Sequence, residues 1–222
     1  MDQQTATEVK LDRTAPSRNP LITLVEAIVG PLTKENAVSW IRSIIIAVTL
    51  AVSFRYWVFD HYRIPSGSMI DTLLIGDKII VNKFIYGVRI PFTNKRVLAI
   101  RKPQRGDIVV FRAPAAASKK RENFVKRLIA LPGERVRVSN GHIYINDKLV
   151  TSPPSIADRR YTDSGSIGVE NDVTVPANEI YVLGDNSPSS CDSRYWGFVP
   201  IGDIKGPAEA TWWPFSHMHR LK

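Results

Sequence analysis

The sequence predicts a mainly β protein with an antiparallel sheet, preceded by one N-terminal transmembrane helix. Three observations predict it. The most hydrophobic segment of the chain ends at residue 59. Short β-branched runs bounded by Gly, Asp or Pro follow it, which is the pattern of strands. No long amphipathic helical period recurs after residue 60. With 222 residues, 44% of them hydrophobic, there is room for an anchor and for a domain that buries a core.

Residues 1 to 19 are polar and read as a disordered lead. Pro20 to Leu32 is apolar and predicts a short amphipathic helix stopped at Gly30-Pro31, too short to span a bilayer. Residues 41–59 are different, because Arg42 and Arg55 are the only charges there. As a helix this segment is about 28 Å long, close to the hydrocarbon thickness of a membrane. Both arginines lie near its ends, where they can snorkel, and Tyr56-Trp57 suits the interface. A core helix of a soluble domain is the competing reading, since only twelve residues separate the arginines. Both flanks are basic, so the charge count leaves the orientation open.

Beyond residue 60, Lys78–Lys83, Asp107–Arg112 and Glu179–Leu183 read as strands. Glu134–Val138 alternates strictly, Ser139-Asn-Gly141 supplies a turn, and His142–Ile145 returns, which makes a β-meander. Residues 115–122 and 151–168 read as surface loops.

The formal net charge of +9 raises nucleic acid or an anionic membrane as partner. The basic pairs are dispersed through different segments with no RNA-binding aromatic motif beside them, which favours membrane lipid and no nucleic acid. The single cysteine, Cys191, excludes an internal disulfide. His61, His142, His217 and His219 lack metal-ligand spacing, so neither a metal nor another cofactor is expected.

Arg63-Ile-Pro-Ser-Gly-Ser-Met69 follows the hydrophobic segment directly and places Ser66 and Ser68 around a glycine. Such residues also make ordinary turns. As a nucleophile Ser68 needs a base. His61 is near in sequence, but a lone histidine at a membrane edge is more often a surface residue. A lysine serves only if burial depresses its pKa by about two to three units. On the strand Asn123–Leu131, alternation puts Lys126 on one face with Phe124, Leu128 and Ala130, and Arg127 on the other with Val125 and Ile129. An edge-strand lysine pointing to water is the equal alternative. The polar loop Gly184 to Gly197 holds Asp185 and Asp192, which suit Arg127 or Arg194, and serines able to orient the lysine.

Taken together these blocks resemble bacterial type I signal peptidase, the membrane-bound Ser-Lys serine protease family. Pro65-Ser-Gly-Ser-Met69 is similar to its nucleophile box, and Gly76-Asp-Lys-Ile-Ile-Val-Asn-Lys-Phe84 to the block after it. Arg105–Phe111 with Val125–Glu134 is similar to its lysine block, and Gly184–Pro200 to its last. The resemblance implies an antiparallel β-sheet catalytic domain, residues 60–133 and 176–210, with a small inserted β subdomain at 134–175 and a tail at 211–222. It implies a cytosolic lead over 1–40, an anchor over 41–59 and a catalytic domain on the extracytoplasmic side of the inner or plasma membrane. Ser68 is then the nucleophile and Lys126 the general base. Ser66 and the Ser68 N–H form the oxyanion hole, Ser190 orients the lysine, and Asp192 with Arg194 is a structural ion pair. The substrate strand is Asn123, Phe124 and Val125, the substrates are preprotein signal peptides with small residues before the cleavage site, and the enzyme is a monomer. The chain departs from the family at Ile70-Asp71-Thr72, where x-Pro-Thr is common, and at Ser187-Pro188-Ser189, often Arg-Asp-Asn. The competing readings are a catalytically inactive membrane-tethered β scaffold binding secreted partners, and a self-cleaving repressor. Intact Ser68 and Lys126 stand against the first, and an anchor in place of a DNA-binding domain against the second.

Overall fold

The computed structural model describes residues 34–89 and 96–221. Its contacts divide the chain into two units, Met1–Val52 and Ser53–Lys222. The lead expected over 1–19 and the helix expected over 20–32 lie outside the described residues. Helix α1 runs Lys34–Val58. Val38, Ile41, Ile44, Ile45, Ile46, Val48, Leu50 and Val52 are all exposed along it. The expected transmembrane helix over 41–59 is corrected in two respects. Phe59 already begins a strand, and no helix among the described residues is long and apolar enough to cross a membrane. Twelve residues separate Arg42 from Arg55, three of them Ser or Thr, against the roughly 20 apolar residues that a bilayer core asks for.

The second unit is β. Its strands, in chain order, begin with β1 (Phe59–Arg63), β2 (Lys78–Asn82), β3 (Val88–Arg89), β4 (Arg96–Val97), β5 (Ile108–Arg112), β6 (Asn123–Ala130) and β7 (Arg135–Ser139). After them come β8 (His142–Ile145), β9 (Lys148–Leu149), β10 (Val173–Thr174), β11 (Glu179–Leu183), β12 (Val199–Pro200), β13 (Ile204–Trp213) and β14 (His219–Arg220). Two one-turn helices, α2 (Pro154–Ala157) and α3 (Ser193–Trp196), interrupt them. An eight-stranded sheet has the order β1-β2-β13-β5-β6-β11-β12, with β14 against β13. A four-stranded sheet, β10-β7-β8-β9, carries the segment between β6 and β11.

Burial follows the side-chain period of two. On β2 only Ile79 and Val81 are buried, whereas on β5 Ile108 to Phe111 are all buried, as in a strand covered on both faces. The β7–β8 hairpin closes on Asn140 and Gly141, both at positive φ, with Ser139 opposite His142. That is the Asn-Gly turn whose twist matches the strands it joins.

Two expectations fail on the second unit. Residues 211–220, read as tail, hold the end of β13 and β14, and Leu221 is buried. Strand β13 contains Gly206 and Pro207, residues that weaken a strand signal. Gly206 sits at a register shift against β5, and a Cβ on it would strike Asn82 O. The stretch 151–168, read as surface, buries Ile156 and Tyr161 in the core of the smaller sheet.

Candidate active site

The segment after β1 turns back into the core. Ile64 is buried, and behind it Met69 and Leu73 are buried in one cluster with Ile79 and Val81. Leu73 N donates to Met69 O at 2.8 Å and Ile70 N to Gly67 O at 3.1 Å, which winds the elbow into successive turns. Between these anchors Ser68 is 9% exposed, while Ser66 faces solvent. Their hydroxyl oxygens lie 3.5 Å apart.

The loop after β11 grips the elbow from the other side. Asn186 Nδ2 donates to Gly67 O at 2.9 Å, and Asn186 N to Ser68 O at 3.1 Å. The approach demands glycine at 184, because a Cβ there would collide with Ser68 O and Ser190 Oγ. Asp71 takes φ of +71°, which Asp tolerates and proline cannot adopt. The departure from x-Pro-Thr at this position is thus matched by a left-handed residue.

Lys126 Nζ lies 2.5 Å from Ser68 Oγ. Lys126 is 4% exposed, and the pKa of its amine is lowered from 10.5 to about 8. Burial is the cause of the fall, opposed by the carboxylates of Asp192 and Asp185 and assisted by Arg194. As ammonium, Nζ donates to the hydroxyl; once deprotonated, its lone pair can accept the hydroxyl proton. Depression of a lysine by burial next to a serine is what base-assisted nucleophilic chemistry needs.

Arg127 is fully buried beside it, and its Nε and Nη2 donate to Asp185 at 2.8 and 2.6 Å. Arg194 makes the parallel pair with Asp192 through Nε at 2.8 Å and Nη2 at 2.9 Å, both residues at 0% exposure. Asp192 also accepts from Gly184 N at 3.0 Å. The hydrogen bond expected from Ser190 to Lys126 is not formed. Ser190 Oγ is buried without a partner among the described residues, because its side chain packs against Gly184 instead.

A cleft of about 410 Å³ opens onto this pair, lined by Tyr62, Ile64, Ser66, Phe124, Val125 and Cys191 among others. Strand β6 is built for such a position. Its C-terminal half pairs with β11 through Arg127, Leu128 and Ala130, but Asn123 to Lys126 pair with β5 alone. Ala113 N donates to Glu122 O and Leu128 N to Asp107 O. Alternation therefore turns the backbone N–H and C=O of Asn123 and Val125 to the unpaired edge.

Sequence reasoning named Ser66, Ser68, Lys126, Asn123, Phe124 and Val125, and the structure brings all six to one cleft. It missed the support: Thr72, Arg159 and Asn186. Asn186 stands in the polar loop already singled out, but Arg159 lies in a stretch read as surface, where nothing marks it.

Residues 37–213 match the family described as signal peptidase, peptidase S26. A signal peptidase I of Pseudomonas aeruginosa is 34% identical over 88% of this chain and 80% of its own length. A probable signal peptidase I-2 of Synechocystis is 38% identical, over 81% of this chain and 75% of the relative. The crystal structure of a signal peptidase I from Enterococcus faecalis is 35% identical, covers 48% of this chain and 97% of that one, and superimposes with a TM-score of 0.38.

Proposed function

The chain belongs to the signal peptidase family, peptidase S26, a serine peptidase, and we propose that it removes signal peptides through Ser68 as nucleophile and Lys126 as general base. The observation that carries the proposal is the buried amine, its pKa depressed, 2.5 Å from the Ser68 hydroxyl at the floor of a cleft. A preprotein lies extended along Asn123–Val125 by β-augmentation, adding a strand to the unpaired edge of β6. Small side chains before the scissile bond admit its carbonyl to Ser68. Neutral Lys126 takes the hydroxyl proton as Oγ attacks the carbonyl carbon. The oxyanion accepts from the Ser66 hydroxyl and the Ser68 N–H, donors whose loss typically costs on the order of 10²–10³ in rate. Collapse expels the amine of the mature protein, which takes the proton from Lys126. Lys126 then deprotonates the water that hydrolyses the acyl-enzyme.

The proposal also attaches the enzyme to the inner or plasma membrane through α1, whose apolar side chains are exposed from Val38 to Val52. Sharing a membrane with the substrate raises the effective concentration of each for the other. Trp213 and Phe215 extend the proposed membrane contact, being exposed on the β unit.

Cleavage of a preprotein in detergent tests the chemistry. Ser68→Ala and Lys126→Ala are each expected to abolish turnover while the thermal transition persists; substantial residual cleavage by either folded variant would overturn the dyad.

A further inference from the structure

Arg159 stands outside the eight-stranded sheet, in the turn that follows α2. Its guanidinium is held from behind, Nε donating to Ser155 O at 3.0 Å. Its backbone N donates to Ile156 O at 3.2 Å, and Ile156 is buried with Val136 and Val138 in the core of the smaller sheet. The arm therefore has a firm base. From there Nη2 donates to Thr72 Oγ1 at 2.8 Å and lies 3.5 Å from Asp185 Oδ2.

A guanidinium has no acceptor, so Thr72 Oγ1 must accept from it, and the single hydroxyl proton of Thr72 is left to point elsewhere. It points to Asp185 Oδ2, 2.5 Å away. Asp185 is itself fixed by Arg127, the neighbour of Lys126, in a pair that is 1% and 0% exposed. Thr72 follows Ser68 by four residues, in the turn where Thr72 N and Leu73 N both donate to Met69 O. The network thus ties the elbow's far end to the element that carries the amine.

The geometry points to Arg159 as a positioning residue: by fixing the Thr72 hydroxyl onto Asp185, the smaller sheet holds Ser68 Oγ in register with Lys126 Nζ. The inference rests on the proposed Ser68–Lys126 chemistry. Its rival is a plain clamp between the two sheets that contributes stability only. The two roles differ in what they move. The carboxylates of Asp192 and Asp185 hold the proton on the amine and the Arg194 cation drives it off, with the Cys191 thiol lining the same cleft. Loss of the Arg159 cation leaves Asp185 less compensated, so the amine keeps its proton to higher pH.

The test uses the full chain in detergent with a preprotein substrate. Arg159→Gln is expected to lower kcat about tenfold with KM held within about twofold, since small misplacements of reacting groups act on the chemical step. Its rising pH limb should move to alkaline pH. Thr72→Val should match it, the double variant should be no worse than either alone, and Arg159→Lys should recover part of the rate. Arg160→Gln, whose native side chain turns to His142, should leave kcat unchanged. A lowered Tm with kcat and pH limb intact, or additive losses in the double variant, would overturn the inference in favour of the clamp. If Arg159→Gln does not fold, Thr72→Ser against Thr72→Val decides it: only the hydroxyl variant should keep its rate, and equal rates would refute the role. Turnover by Ser68→Ala would strike the dyad and this inference together, whereas an inert Ser68→Ala beside an unaffected Arg159→Gln overturns the inference alone.

Discussion

Lys126 is 4% exposed, and burial lowers the pKa of its amine to about 8 from 10.5. The sign of the linkage follows from the lowered value. Between pH 8 and 10.5 the unfolded chain binds more protons than the folded one, so stability rises with pH across that window. Below about 8 Lys126 opposes folding by on the order of 3 kcal/mol, each pKa unit being about 1.4 kcal/mol. Lys126→Met should therefore raise Tm at pH 7 relative to the native chain, and the gain should shrink as pH approaches 10.5; a gain independent of pH would contradict the assignment. In the proposed mechanism the same group sets the chemistry. The rate of preprotein cleavage should climb through a limb near pH 8 as the amine becomes a base, and a profile flat from pH 6 to 10 would exclude it. At Ser190 the resemblance carries a role, but packing decides where the hydroxyl turns, and here it makes no hydrogen bond to Lys126.

Among the elements, β6 has the most uneven surroundings. Its second half is an interior strand, buried from Lys126 to Ala130 on both faces and hydrogen-bonded on both sides. Its first half keeps one edge unpaired, with the Val125 N–H directed outward by strand parity. Val125→Pro removes that donor while leaving the bonds to β5, which are made by alternate residues. It should raise KM for a preprotein by at least tenfold, well beyond the effect of Val125→Ala, because a backbone bond and not a side chain is lost. Equal effects of the two substitutions in steady-state assays would argue against strand addition. Alternation in the sequence put Lys126 among apolar neighbours correctly, but it gave Arg127 the same standing. The partners distinguish them: Arg127 is satisfied by the buried carboxylate of Asp185, whereas Lys126 reaches the Ser68 hydroxyl.

On the scale of the whole molecule, the tryptophans near the C-terminus divide. Trp212 packs edge-on against His61 at 5.6 Å, whereas Trp213 and Phe215 meet edge-to-face at 4.9 Å and stay exposed, Phe215 at 71%. Trp213→Ala with Phe215→Ala should weaken co-sedimentation with anionic lipid vesicles while preprotein cleavage in detergent stays near the native rate; unchanged sedimentation would remove these residues from the proposed membrane contact. The +9 net charge is a property of the same scale. It favours an anionic surface without specifying a site, as dispersed charge does.

The sequence by itself determined the β character of the second unit, the Asn-Gly hairpin and the elbow with its two serines, and it placed Lys126 on a strand as a candidate base. These are local facts, written in alternation, turn residues and motif spacing. Only the tertiary structure decided that β13 lies inside the sheet despite Gly206 and Pro207, that it runs on to Trp213 with β14 against it, and that Arg159 reaches Thr72 and Asp185. Each of those is a long-range pairing. A strand broken by a bulge loses its period, and a surface-coloured arginine reveals nothing of the carboxylate that folding brings to it.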